Sequence, residues 1–235
     1  PVPPAFTNPA NIVINQAGPG TPYPANLVVS GLPTTGVSVQ SVTLTGMNHT
    51  WANDIDILLQ SPGGTNVILM SDIGGNVAIP AGATYTFNDA GPAMAGAPNA
   101  SGTYRPTNLV GALGVEPDNW PAPGPGAVAQ ATPALSLFGS TADMNGTWKL
   151  FVVDDAAGDG GSISGGYTIR FNVPVAPCTS PARTVIVTVN QPTVLNASIP
   201  VNQTICTDKV ATFSAAVVSG TGPHSYQWQV STNGG

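Results

Sequence analysis

The chain has 235 residues, of which 42% are hydrophobic and 7% charged, and its 28 glycines and 24 prolines favour turns over long helices. This composition predicts an all-β protein with long loops, and the hydrophobic content argues against disorder. A net charge of −6 with five Lys plus Arg excludes a basic surface for nucleic acid, and no apolar run approaches the ~20 residues of a membrane-spanning helix.

The first 173 residues contain short apolar runs bounded by turn residues, and we predict that they form one unit, a β-sandwich or jelly roll. In the run 37–45 the alternation of apolar and polar residues slips near Gln40 and Ser41, which predicts a β-bulge. The segment SPGGT at 61–65 predicts a tight turn. The predicted strands are 12–15, 27–30, 37–45, 56–60, 66–70, 83–87, 146–154 and 166–173.

Residues 88–134 show little regular pattern and are rich in Pro, Gly and Ala. Loops of this length inside a compact domain are usually functional or disordered. We predict an extended flap that packs over the sandwich through Tyr104, Leu109, Leu113 and Trp120.

Acidic residues are scarce, and five of the eleven lie beside two hydrophobic β-type runs, 49–59 and 146–155. Carboxylates at strand ends can converge with backbone carbonyls on Ca²⁺, which prefers hard oxygen ligands. Asp54 and Asp56 are expected to share one face of a strand, so that both could face one ion. The alternative is that these side chains cap turns by accepting backbone N–H groups. The candidate metal ligands are Asp54, Asp56, Asp154, Asp155 and Asp159.

The two histidines, His49 and His224, do not lie in a recognisable catalytic arrangement. His49 is close in sequence to Asp54 and Asp56, but no G-x-S-x-G segment or similar nucleophile context accompanies it. We therefore predict that the chain is not an enzyme, that it has no catalytic residues, and that His49 makes structural hydrogen bonds.

Three tryptophans, Trp51, Trp120 and Trp148, could form a flat platform for a carbohydrate or could pack the flap. Trp148 lies in an alternating run and is expected in the core. Trp51 and Trp120 have polar or Pro-rich neighbours, so these two are the candidates for an exposed platform.

Residues 174–190 are predicted to be a linker followed by a connecting strand, and 191–235 to begin a second unit. Cys206 followed about twenty residues later by Trp228 is typical of an immunoglobulin-like sandwich. Only its first strands precede Gly235, so we expect Phe213 and Trp228 to be covered by further domains of the same polypeptide or by neighbouring copies. Cys206 could pair with Cys178 or with a cysteine of a later strand.

A set of short motifs runs in order over residues 6–172: HT at 49–50, DID at 54–56, SPGGT at 61–65, SGTYRP at 101–106, GTW at 146–148 and DDA at 154–156. In these motifs the first unit resembles the P domain (P/Homo B domain) of proprotein convertases in its bacterial form. The resemblance implies a β jelly roll, found beside subtilisin-like catalytic domains or as a stand-alone module in large secreted bacterial proteins. In that family the His-Thr pair belongs to the scaffold.

The second unit, with Cys206, Phe213 and YQWQVS at 226–231, resembles the Ig-like repeats of giant Bacteroidetes surface proteins. Such proteins usually leave the cell through the type IX secretion system. The two resemblances imply a non-catalytic structural or adhesive module of a secreted cell-surface protein, a protomer of an extracellular fibre. The alternatives are an accessory P domain of a secreted subtilisin-like serine protease and a carbohydrate-binding module whose partner is a surface glycan.

Overall fold

A computed structural model of the chain describes residues 2–94, 100–109, 118–174, 194–195, 205–219 and 225–229. The described residues are almost entirely strands and turns, which confirms the all-β class. The chain divides into two compact units, Pro1–Pro174 and Val175–Gly235. The predicted connecting strand within 174–190 lies outside the described residues.

Fifteen short strands and two 3-10 turns, Ala52–Asp54 and Leu135–Phe138, make up the described part of the first unit. The strands are β1 (Ala5–Asn8), β2 (Ile12–Ile14), β3 (Gly18–Pro19), β4 (Ala25–Val29), β5 (Ser38–His49), β6 (Ile55–Gln60), β7 (Asn66–Ser71), β8 (Ile79–Phe87), β9 (Gly102–Tyr104), β10 (Thr107–Asn108), β11 (Asp118–Trp120), β12 (Gly126–Val128), β13 (Gly146–Asp154), β14 (Gly161–Ile163) and β15 (Tyr167–Asn172).

Two mixed sheets pack against each other across one hydrophobic core. The seven-stranded sheet has the order β1-β15-β5-β14-β2, with β8 pairing β5 and β9 pairing β8. The six-stranded sheet has the order β10-β7-β6-β13-β3, with β4 also pairing β13. Side chains from both sheets, such as Leu44, Ile57 and Trp148, are fully buried between them. Each such side chain contributes about 1.5–3 kcal/mol by leaving water, and together they hold the sandwich.

All eight predicted strands of the first unit are present, with ends shifted by a few residues. The predicted bulge is confirmed, because Arg170 pairs with Ser41 and Phe171 with Val39, which leaves Gln40 as the extra residue. The turn at 61–65 is also confirmed, since Ser61 N donates to Thr65 O at 2.9 Å. The strands that the sequence did not reveal are β1, β3, β9 to β12 and β14, each too short to show a period.

The segment 118–128 covers the outer face of the six-stranded sheet as a hairpin of β11 and β12. Trp120 is fully buried there against Leu58, Ile68 and Phe151. Its Nε1 has no hydrogen-bond partner among the described residues, so apolar contact holds this layer. The packing of Tyr104 and Leu109 against the main core agrees with the predicted flap, whereas Leu113 lies outside the described residues.

In the second unit, β16 (Val194–Leu195) pairs antiparallel with β17 (Val217–Ser219). The rings of Phe213 and Trp228 lie 6.3 Å apart, and Trp228 is 47% exposed. Cys206 is half-buried, while Cys178 lies outside the described residues. The cover over Phe213 and Trp228 and the pairing of the cysteines stay predictions.

Candidate functional site

The two acidic stretches lie side by side in the fold because β6 and β13 are neighbouring antiparallel strands. Asp56 pairs with Val153 and Ile55 with Asp154. Beyond these pairs, Asp155 N donates to Asp54 O at 2.9 Å. The five candidate ligands therefore meet at one end of the six-stranded sheet.

The alternation of side chains along the strands divides the candidates between two clusters. Asp56 lies on the same strand face as Leu58, and this face points towards the hairpin with Trp120. Asp154 is paired with Ile55 and lies on the opposite face of the sheet, towards the core between the two sheets. Asp54 belongs to the 3-10 turn before β6. The expectation that Asp54 and Asp56 share one strand face is therefore wrong.

The first group, here called the histidine cluster, consists of His49, Thr50, Asp154 and Asp159. His49 and Asp154 are buried, and their Nε2 and Oδ2 atoms are 3.1 Å apart. Asp154 Oδ1 accepts Ala156 N at 3.1 Å, and Thr50 Oγ1 donates to Asp159 Oδ2 at 2.6 Å. Burial and, to a lesser extent, Asp159 raise the pKa of Asp154, while the hydrogen bond from Ala156 N and the contact with His49 partly oppose the rise.

Both ring nitrogens of His49 are engaged. Nε2 faces Asp154, and Nδ1 lies 2.7 Å from Trp51 O and 3.2 Å from Trp51 N. Nδ1 either donates to the carbonyl or accepts from the N–H, so neither nitrogen is left to take a proton from a nucleophile. This geometry is that of a structural hydrogen-bonding residue.

The second group, here called the serine cluster, consists of Asp56, Ser71, Asp72 and Asp118, with exposed Asp155 at its edge. Ser71 Oγ is 3.5 Å from Asp72 Oδ2, and the Ser71 hydroxyl lies close enough to Asp56 and Asp118 to lower the pKa of each. A hydroxyl has one proton and can donate it to only one of these carboxylates. Asn108 Nδ2 donates to Asp118 Oδ2 at 3.3 Å.

The carboxyl groups of the serine cluster resist ionisation together. Burial, followed by the negative charges of Asp118, Asp155 and Asp72, raises the pKa of Asp56 to about 8. Burial and the same kind of repulsion raise the pKa of Asp72 to about 6 and shift those of Asp118 and Asp155 upward. Asp56 is 4% exposed, so at neutral pH its carboxyl group must either carry a proton or have a cation beside its ionised form.

The sequence did not point to Asp72 and Asp118 as members of this cluster. Asp72 is the residue after Ser71, where β7 ends, and has a φ of 56°. Asp118 lies 46 positions later and reaches the cluster only because its hairpin packs on the sheet. The one available signal was the apolar character of 55–60 and 66–71 on both faces, which indicates that something covers the outer face.

The tryptophans occupy different environments. Trp148 is fully buried and donates from Nε1 to Met144 O at 2.9 Å, as expected for a core residue. Trp120 is buried too, which agrees with the predicted packing of the flap and removes this residue from the alternative of an exposed carbohydrate platform. Trp51 is 43% exposed beside Asp54 and Asp159.

Comparisons with protein-family models, with curated proteins and with solved structures found no match for this chain. Within the described residues, no helix has the length and apolar character needed to cross a membrane. His224 lies outside those residues.

Proposed function

We propose that the first unit is a P-domain-like jelly roll that acts as a non-catalytic, calcium-stabilised structural or adhesive module of a secreted cell-surface protein. The two-sheet sandwich and the order of the motifs along it support this reading. The HT motif spans the end of β5, SPGGT joins β6 to β7, and GTW opens β13. The accessory domain of a secreted serine protease is the alternative with the same fold.

The observation that carries the calcium proposal is the serine cluster. Three carboxyl groups, those of Asp56, Asp72 and Asp118, lie around the Ser71 hydroxyl, and no positive charge among the described residues offsets the repulsion that raises the pKa of Asp56. Ca²⁺ takes six to eight oxygen ligands and tolerates irregular geometry, which suits carboxylates that come from separate strands. An ion here would link Asp56 of the sheet to Asp118 of the hairpin that covers it.

The histidine cluster is the tighter group, since ligand atoms of His49, Asp154 and Asp159 all lie within 4.8 Å of one another. Three of its four carboxylate oxygens, however, already have protein hydrogen-bond partners, and one of its three ligands would be an imidazole nitrogen, which Ca²⁺ disfavours. This cluster fits the turn-capping alternative. We therefore assign the ion to the serine cluster.

The hydrogen bonds at both ring nitrogens of His49 support the non-catalytic part of the proposal.

For the second unit we propose an Ig-like domain covered by further domains or neighbouring copies, because Trp228 is about half exposed in the single chain. The protein would then be one element of an extracellular, fibre-like assembly.

Thermal unfolding in excess chelator and in excess CaCl₂ tests the calcium proposal. A ligand that binds only the folded state adds about 2.7 kcal/mol at a hundredfold excess over its Kd, so the melting temperature of the first unit should rise with Ca²⁺. The pair Asp56→Asn and Asp118→Asn should remove the difference, and Asp208→Asn, an exposed acid of the second unit, should keep it. Equal melting temperatures of the wild type in both buffers would refute the proposal.

A further inference from the structure

An open cleft lies beside the histidine cluster, with a volume of about 460 Å³. Its lining consists of Trp51, Asp54, Ala156, Ala157, Gly158 and Asp159. We call it the tryptophan cleft. Only three of its side chains extend beyond a methyl group, and they are one aromatic ring and two carboxylates.

The walls of the tryptophan cleft are held in place by hydrogen bonds. Thr50 Oγ1 fixes Asp159 at 2.6 Å, and the contact of Ala156 N with Asp154 Oδ1 fixes the start of the loop. Gly158 has a φ of 130°, and nothing lies within 4 Å of where a Cβ would be, so the loop leaves this side of the cleft open. Trp51 therefore presents its ring to solvent beside a fixed carboxylate.

The charge around the cleft is one-sided. The two charged side chains that line it, Asp54 and Asp159, are both acidic and repel each other, and neither Lys nor Arg lies among the lining residues. A neutral ligand would leave this repulsion in place. A cation would relieve it, and the face of an indole ring attracts cations in addition.

We propose that the tryptophan cleft binds an arginine side chain of a partner protein, with the guanidinium stacked on Trp51 and facing Asp54 and Asp159. The planar guanidinium both stacks on aromatic rings and forms paired hydrogen bonds with carboxylates. The inference goes beyond the structural module proposed above, because it gives that module a recognition surface. It does not depend on Ca²⁺ in the serine cluster.

The test is an NMR titration of the full chain with N-acetylarginine amide. The indole N–H signal of Trp51 is assigned by its loss in Trp51→Phe. We expect this signal to shift in a saturable manner with the arginine probe, and not with N-acetylcitrulline amide, which has the same shape without the charge. Asp54→Asn should weaken binding by roughly 2- to 30-fold, the range of one partly desolvated cation–aromatic or ionic contact. Trp228→Phe, at the other exposed tryptophan, should leave it unchanged.

Three outcomes would overturn the inference. Equal shifts with the arginine and citrulline probes would remove the role of charge. A shift with N-acetylglucosamine alone would make the cleft a carbohydrate site. A shift with CaCl₂ alone would make it a metal site.

Discussion

Asp56→Asn should stabilise the metal-free protein at neutral pH, although it removes a proposed metal ligand. The pKa of Asp56 is about 8 in the fold against a usual 3.8, so at pH 7 the folded state must either keep a proton or bury an unbalanced charge. The gap between pH 7 and the unfolded pKa is about 3 units, and each unit corresponds to 1.36 kcal/mol. Replacement by the neutral amide should therefore raise the free energy of unfolding by as much as about 4 kcal/mol.

The sign of the pH dependence follows from proton binding. Between about pH 4 and pH 8 the folded state binds more protons than the unfolded state, so the stability of the metal-free wild type falls as the pH rises through this window. The Asn variant lacks the titration of Asp56, so its stability should fall less steeply across this window, and the fall that remains comes from other buried carboxyls such as Asp72. With Ca²⁺ the order reverses, because the ion binds the deprotonated carboxylate and stabilises only the wild type.

Urea unfolding in chelator at pH 5 and at pH 8, followed by tryptophan fluorescence, measures both effects. Trp120 and Trp148 are buried in the first unit and report its unfolding. The reasoning would be refuted if the wild type were equally stable at both pH values and the Asn variant were no more stable at pH 8.

Three further substitutions test the fold and the histidine cluster by urea unfolding. Trp120→Ala should lower the free energy of unfolding by about 3–5 kcal/mol because it removes the main apolar side chain of the layer over the six-stranded sheet. The exposed control Trp51→Ala should lower it by less than about 1 kcal/mol. Similar losses in the two variants would show that the hairpin does not cover the sheet. Gly146→Ala should lower the free energy of unfolding by about 1–3 kcal/mol, since φ is 127° and the added methyl would lie 2.8 Å from Pro62 Cβ. This loss should exceed that of Gly64→Ala, where φ is 87° and nothing lies near the added methyl. His49→Ala should lower the free energy of unfolding by about 3–5 kcal/mol because the buried Asp154 carboxylate loses the imidazole beside it. A loss of less than about 0.5 kcal/mol would show that the two side chains are exposed to solvent.

The long strands could be predicted from the sequence because their apolar residues repeat over five or more positions. The slip at Gln40 was visible for the same reason, as a break in an otherwise regular alternation. Strands such as β10 and β14 have two or three residues, which is too short for an alternation of apolar and polar residues to be seen. These segments are strands because they pair with neighbouring strands in the fold. The hairpin at 118–128 showed no pattern because it is held by packing on the six-stranded sheet and not by a repeat of its own.

The candidate site was predictable in part. The concentration of acid at 54–56 and 154–159 predicted that these side chains lie close together, and they do meet at one end of the six-stranded sheet because β6 and β13 are neighbours. The sequence could not separate Asp56 from Asp154, because that depends on which strand face each occupies. It also could not add Asp118, which joins the serine cluster across 62 positions through tertiary packing of a hairpin.

A calorimetric Ca²⁺ titration of the full chain and four variants tests the central claim most directly. The account predicts saturable binding at one ion per chain, lost in Asp56→Asn and Asp118→Asn and kept in Asp54→Asn and Asp159→Asn. Binding that disappears with Asp159→Asn and survives Asp56→Asn would place the ion in the histidine cluster, and no binding by the wild type would contradict a calcium-stabilised module altogether.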